Sequence, residues 1–413
     1  MLWEDSLEMV VRYGSSGKIH NVAGVRLSAV SAGIRYQDKL DLVLIELSEQ
    51  SAVAGAFTQN AFCAAPVVIA KSHLSSHDPR VFIINTGNAN AGTGEIGQKH
   101  ALECCQIVAK HAEVAVQQVL PFSTGVIGEE LPVNKLLAGV PKAFNCLDEG
   151  AWKDAGMGIL TTDTRPKLVS KQIEVAGNLL TITGMAKGSG MIRPDMATML
   201  SYVFTDALIE KELLDEIIIE MIDKSLNRIT VDGDTSTNDA AILVATGKSG
   251  VSISELSNLK REEFIETLKS VFQQLAIELV KDAEGATKFI TVNVTEGRDE
   301  DECLKIAYCV AESLLVKTAL FASDPNWGRI LAAVGRAGVE DLDTRKVNID
   351  IGGVRIVSEG KVAESYTEEK GKGAMRRDEI IISIELGRGT NQETVWTSDL
   401  SHDYIRINAD YRT

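Results

Sequence analysis

The 413-residue chain contains no apolar run long enough to cross a bilayer, so no membrane partner is expected. Its six cysteines form no CxxC pair, and Cys104 and Cys105 are adjacent. That excludes a zinc framework and points to reduced thiols, mostly buried. Its six histidines show no HExxH or related spacing, so no metal site is assigned. Only eight prolines occur, and there is no repeat, low-complexity segment or long linker. The N-terminal MLWEDSLEMVVRYGSSGK carries acids where a secretory signal would carry bases, and no long apolar stretch follows. This points to the cytoplasm. Positive charge is also in deficit, with a formal net charge of −16. Such a chain repels phosphate backbones, which excludes nucleic acid as a partner.

The composition that is present, 45% hydrophobic and 24% charged, is that of a globular protein with a large core. Strand-like runs rich in β-branched residues occur at Asp41–Leu47, Val81–Asn85, Leu179–Gly184, Phe289–Val294, Lys346–Gly353 and Glu379–Gly387, and these are read as the whole strand set. Apolar residues every three or four positions predict helices over Leu208–Leu226, Glu262–Val280 and Leu304–Leu320. The alternation predicts an α/β or α+β fold of mixed order. The sharpest division falls before Thr198, giving segments 1–197 and 198–413.

That division lies in KGSGMIRPDMATMLSYVF, where one threonine separates a glycine- and proline-containing loop from an apolar strand-like run. A threonine hydroxyl is a poor nucleophile unless a base adjoins it. An N-terminal threonine carries such a base in its own α-amine, with a pKa of roughly 7.7–8.0. Cutting between Ala197 and Thr198 would create that amine. An ordinary strand threonine following a loop would satisfy the same run. Three further segments stand out. In FSTGVIGEE, Thr124 and Gly125 could offer a hydroxyl and a backbone N–H to one oxygen, although an ordinary glycine turn also fits. INTGNANAGTG lacks the P-loop ending and the GxGxxG spacing, and reads as a tight loop near a site. TVDGDTSTND lacks the distal glutamate of an EF-hand and reads as an Asx-rich turn closing on its own backbone. Cys63, in FCAAPV, reads as packing.

Taken in order, VAGVRLSAVSAGIR, FTQNAFCAAPV, NTGNANAGTG, STGVIGE, LTTDTRPK, KGSGMIRPDMATML, RITVDGDTSTND, EGATKF, DPNWGRILAAVGRAG and NADYRT resemble the ornithine acetyltransferase family of arginine biosynthesis, from about Val22 to Thr413. The resemblance implies an N-terminal-nucleophile-like sandwich, sheets flanked by helices, of the kind found in self-processing aminopeptidases. It also implies cleavage between Ala197 and Thr198 and two α and two β chains in a heterotetramer. In this reading Thr198 is the nucleophile that carries acetyl, and Thr124 and Gly125 form the oxyanion pair. Substrate contacts fall to Thr198, Lys187, one of Thr161 and Thr162, Glu284, Asn408 and Thr413; the sequence does not choose between the two threonines. The substrates would be N2-acetylornithine and glutamate, with no cofactor, and acetyl-CoA is left open as a second donor. On electrostatic grounds Lys187 suits a carboxylate and Glu284 a cation, and Arg165, Lys167 and Arg193 are expected to be bases around the mouth of the site. The rival is a self-cleaving aminopeptidase or amidohydrolase of the same fold, in which water finishes the reaction.

Overall fold

In a computed structural model the protein is described over residues 17–175, 177–193 and 199–409. It divides into two compact units, one built from residues 17–227 and 235–279, the other from 228–234 and 280–409.

The first unit holds two sheets. One has the order Val25–Val30, Leu42–Leu47, Val81–Asn88, Val119–Val126, with only the last pair parallel. The other runs Ala52–Phe57, Ala240–Ala245, Leu200–Thr205, Asn178–Lys187, Lys167–Val175, and its second and third strands are parallel. Side chains alternate across a strand. Val43, Ile45, Phe82, Ile84, Leu120 and Phe122 therefore turn to a core shared with Tyr202, Phe204, Ile242 and Val244 of the facing sheet. Leu42, Leu44, Val81, Ile83 and Val119 turn the other way, onto Cys104, Cys105 and Val108 of the helix Gly94–Ala112 and Leu136 and Val140 of the helix Val133–Asn145. Strands buried on both faces read as continuous apolar runs, which is why VLIEL and VFIIN stand out. The helix Asn258–Lys281 covers the second sheet closely. A methyl group on Gly184 would lie 2.8 Å from Leu275. The layers are thus helix, sheet, sheet, helix. An edge-to-face contact of Phe122 with Tyr202, at a centroid distance of 5.3 Å, joins the sheets near Thr124, and Phe122 meets Phe82 of its own sheet in the same way at 5.8 Å. Such rings contribute about 0.5–1.5 kcal/mol per pair beyond their burial.

The second unit is one seven-stranded sheet in the order Lys361–Val362, Val354–Ser358, Asn348–Ile351, Glu379–Glu385, Phe289–Gly297, Asn391–Ser398, Ile229–Thr230. Cys303, Ile306 and Val310 of the helix Glu300–Ala311 pack into its core with Val292, Ile382 and Val395.

The α/β class with sheets flanked by helices is what the structure has, but the strand reading was too short. Val25–Val30, Ala52–Phe57, Lys167–Val175, Ala240–Ala245, Val354–Ser358 and Asn391–Ser398 are strands that the sequence pattern did not signal. Two of them, AVAGAF and AAILVA, are rich in small residues because the layers close over them. A methyl group on Gly55 would come within 3.0 Å of Leu74 in the helix Ala65–Leu74. FSTGVIGEE begins as the end of the strand Val119–Val126 and is not simply a turn. The predicted helix Leu304–Leu320 is two helices, Glu300–Ala311 and Leu314–Phe321. Ser313 breaks it, taking an extended conformation and accepting a bond from the Val316 N–H as an N-cap. All six cysteines are free, but only Cys104, Cys105 and Cys303 are buried, and Cys146 is exposed. Among the described residues no helix is long and apolar enough to cross a membrane.

Candidate active site

The parallel pairing of Val81–Asn88 with Val119–Val126 brings INTGN alongside FSTGV. Gly125 sits at φ +132°, and a methyl group there would lie 2.4 Å from the carbonyl carbon of Gly87. Only glycine permits that approach. Thr124 is held beside it, half-buried. On the facing sheet, Lys187 ends the strand Asn178–Lys187 and is 8% exposed. Its ammonium donates to Thr124 Oγ1 at 3.1 Å and to Thr161 Oγ1 at 2.9 Å. Of the two threonines left open by the sequence, Thr161 is the one joined to this cluster. Thr162 instead shares a 2.7 Å hydrogen bond with Ser189 Oγ.

Asp163 ties the TTDT loop to Lys187. It accepts from Gly188 N at 2.7 Å and Thr161 N at 3.1 Å, and forms an ion pair with Lys167. Neither side chain of that pair is exposed. Burial opposes the charge on Asp163, but Lys167, Lys187 and the bonds from Lys167 and Gly188 outweigh it, so its carboxyl is held well below the usual range. Asp239 is the opposite case. Burial dominates and pushes its carboxyl well upward, against Ser236 and Lys187, and its Oδ2 accepts no hydrogen bond among the described residues. Neither aspartate stood out in the sequence as a site residue. The TTDT and TSTND strings that contain them were visible, but their burial was not.

Of the three bases expected near the mouth of the site, Lys167 and Arg165 are engaged inside the fold. Lys167 has no exposed side-chain surface, because it is the buried partner of Asp163. Arg165 is paired with Glu278, its side chain 17% exposed. For Arg193, its carbonyl accepts from Thr235 Oγ1 at 3.1 Å. TVDGDTSTND does not close only on itself either. Asn238 N bonds to Ser236 Oγ at 3.2 Å, but the Asn238 side chain reaches Ala89 and Ser123.

In the second unit, Glu284 is 9% exposed and accepts from Asn408 Nδ2 at 2.8 Å. Asn408 lies on the helix His402–Ala409, which Gly285 admits at close range: a methyl group there would lie 2.6 Å from Tyr404 N. Tyr404 donates to Asp232 Oδ2 at 3.1 Å, and burial together with that carboxylate pushes its hydroxyl up. Glu284 and Asn408, 124 residues apart in sequence, are therefore joined. Ala197, Thr198 and Thr413 lie outside the described residues. The strands bounding the expected cut, Asn178–Lys187 and Leu200–Thr205, are antiparallel neighbours in one sheet, with Lys187 opposite Leu200.

Residues 26–413 match the model described as the ArgJ family. An arginine biosynthesis bifunctional protein ArgJ of Psychrobacter arcticus is 53% identical over 396 residues, 96% of this chain and 97% of that protein. One of the same description from Pseudomonas fluorescens is 50% identical over 98% of this chain and all of its own length (100%). Among solved structures, an arginine biosynthesis bifunctional protein from Bacillus halodurans is 36% identical and covers 51% of this chain and 99% of its own, with a TM-score of 0.49. An ornithine acetyltransferase from Mycobacterium tuberculosis, solved with ornithine, is 38% identical and covers 43% of this chain and 94% of its own, with a TM-score of 0.41.

Proposed function

The chain belongs to the ArgJ family, and from that premise we propose that it transfers acetyl from N2-acetylornithine to glutamate through an acetyl-threonine intermediate. The observation that carries the reading is the contact of one buried ammonium, Lys187, with the hydroxyls of Thr124 and Thr161. A hydroxyl beside a glycine backbone N–H, next to a cation suited to a substrate carboxylate, supports the reading of Thr124 and Gly125 as an oxyanion pair.

In this mechanism the chain is first cut between Ala197 and Thr198, leaving segments 1–197 and 198–413. Thr198 Oγ attacks the acetyl carbonyl, and its proton passes to the new α-amine. The oxyanion is met by the Thr124 hydroxyl and the Gly125 N–H, where one donor is worth roughly 3–4 kcal/mol. The C–N bond breaks, and the proton leaves on the amine of ornithine. Glutamate's amine then attacks the ester. The C–O bond breaks, the proton displaced from that amine restores the Thr198 hydroxyl by way of the α-amine, and N-acetylglutamate leaves. No cofactor enters these steps. Use of acetyl-CoA as a second donor, the substrate-binding roles of Glu284, Asn408 and Thr413, and assembly of two α and two β chains belong to the same proposal.

The test is Thr198→Ala, assayed for cleavage and transfer together. The expected result is an intact 44.6 kDa chain with no ornithine formed. Full transfer by this variant would refute the mechanism. Acetate release from N2-acetylornithine that is independent of glutamate would favour the hydrolase instead.

A further inference from the structure

The loop between the strands Ile229–Thr230 and Ala240–Ala245 carries a side chain that the acetyl-transfer steps do not use. Asn238 is 6% exposed. Its Oδ1 accepts from Thr237 Oγ1 at 2.6 Å, which fixes the orientation of the amide. Its Nδ2 then donates twice, to the carbonyl of Ala89 at 2.6 Å and to that of Ser123 at 3.0 Å. Both N–H groups of the amide are used, on acceptors 149 and 115 residues away in sequence.

The second acceptor matters most. The Ser123 carbonyl belongs to the same planar peptide as the Thr124 N–H, and a planar peptide turns as a body. Holding that oxygen therefore sets the orientation of the Thr124 N–H and of the strand end that carries Thr124 and Gly125. The remaining supports converge on the same place. Ser123 Oγ donates to Asn85 Oδ1 at 2.5 Å, Asn85 Nδ2 donates to the Asn88 carbonyl at 2.9 Å, and Ala89 N donates to Val126 O at 2.9 Å. The loop bearing Asn238 is itself anchored, because Ala64 N donates to Thr237 O and Thr58 N to Asp239 O, each at 3.0 Å.

We propose that Asn238 is a positioning residue for the oxyanion donors, holding Thr124 and Gly125 at the angle acetyl transfer requires; this rests on the acetyl-transfer reading above. A donor turn displaced by a fraction of an ångström still binds substrate but stabilises the transition state less. The effect should therefore fall on kcat and spare KM.

The experiment compares Asn238→Ala and Asn238→Asp with a control, Asn60→Ala. Asn60 makes a bond of the same kind to the same loop, from Nδ2 to Thr235 O at 2.9 Å, so it tests the anchoring of that loop apart from the grip on Ser123. Rates are measured for N2-acetylornithine and glutamate and normalised to cleaved chain. Folding is followed by circular dichroism and Tm. In both Asn238 variants kcat should fall about 10–100-fold, with KM within about twofold of wild type. Asn238→Gln, which restores the donors on a longer arm, should recover part of the loss, and Asn60→Ala should keep wild-type kcat at a similar Tm. A wild-type kcat in Asn238→Ala, an equal fall in Asn60→Ala, or a loss carried by KM would overturn the proposal. If Asn238→Ala does not fold, the folded Asn238→Asp and Asn238→Gln pair decides by the same criterion. Wild-type protein without transfer activity would instead bring down the functional reading itself.

Discussion

Each compact unit encloses a lysine, and the two are accommodated differently. Lys167, in the first unit, meets the carboxylate of Asp163 four residues earlier, and that carboxylate also bonds to the backbone of Thr161 and Gly188. Lys317, in the second unit, donates to Thr397 Oγ1 at 2.9 Å and to the carbonyl of Ser398. Asp399, Asp232 and Glu312 act on it from further away, and burial outweighs them, pulling its ammonium down to about 8. An ion pair keeps charge in place at the cost of desolvating both partners. Neutral acceptors hold the lysine but let its proton go. The paired solution lies next to Gly188 and the Lys187–Thr124 contact, where a fixed charge suits the proposed site. The neutral solution lies under a sheet, where the charge has no evident chemical use.

Removing the carboxylate from the first arrangement should have the largest effect. Asp163→Asn leaves Lys167 enclosed without its counter-charge, and breaking such a pair costs about 3–5 kcal/mol. Chemical denaturation should show that loss at neutral pH and a smaller one in acid. The sign follows from the depressed carboxyl: its contribution is present above the ordinary carboxylate range and lost as pH falls toward the folded-state value. An unchanged midpoint would mean that the two arrangements do not differ in the way described.

The second arrangement predicts a shift of up to a few kcal/mol, visible only against pH. With the Lys317 ammonium at about 8 in the folded chain and roughly 10.4 unfolded, folding releases a proton between those values. This lysine therefore costs stability below about 8, and that cost is relieved as pH rises toward about 10. Lys317→Met should remove that slope, so wild type should gain stability relative to the variant between pH 8 and 10. Parallel curves would show that Lys317 is charged throughout.

Asp239→Asn sharpens the comparison with the smallest expected change, on the order of 1 kcal/mol. A buried carboxyl pushed upward is neutral like the amide at low pH, so the two proteins should melt together there. Above the ordinary carboxylate range the raised carboxyl loses stability as pH rises toward its folded-state value, and the amide does not. The variant should therefore be the more stable at pH 8. Equal stability at both pH values would show that Asp239 ionises freely.

Much of this was legible in the chain. VLIEL and VFIIN announced strands, and FSTG announced a hydroxyl beside a glycine N–H; that those strands are buried on both faces and that Gly125 approaches Gly87 closely came from the structure. Thr124, Lys187 and the Thr161/Thr162 pair were legible through resemblance to a family, not through periodicity. Other features were not legible. The alanine-rich strands carry little β signal, because their small side chains answer to a neighbouring layer and not to local preference. The serine that splits Leu304–Leu320 looks like any helix serine until its hydroxyl is seen capping Val316.

By itself the sequence determined the class of the fold, the family and the residue types available for chemistry, because these depend on local pattern and on the identity of side chains. Only the tertiary structure decided what those side chains meet: that Lys187 bridges Thr124 and Thr161, that Lys167 is enclosed and not at a rim, and that one amide from TSTND grips the Ser123 carbonyl beside Thr124. The reason is that burial and pairing are properties of segments more than a hundred residues apart, and the free energy of a charge or an amide is set by what surrounds it in space.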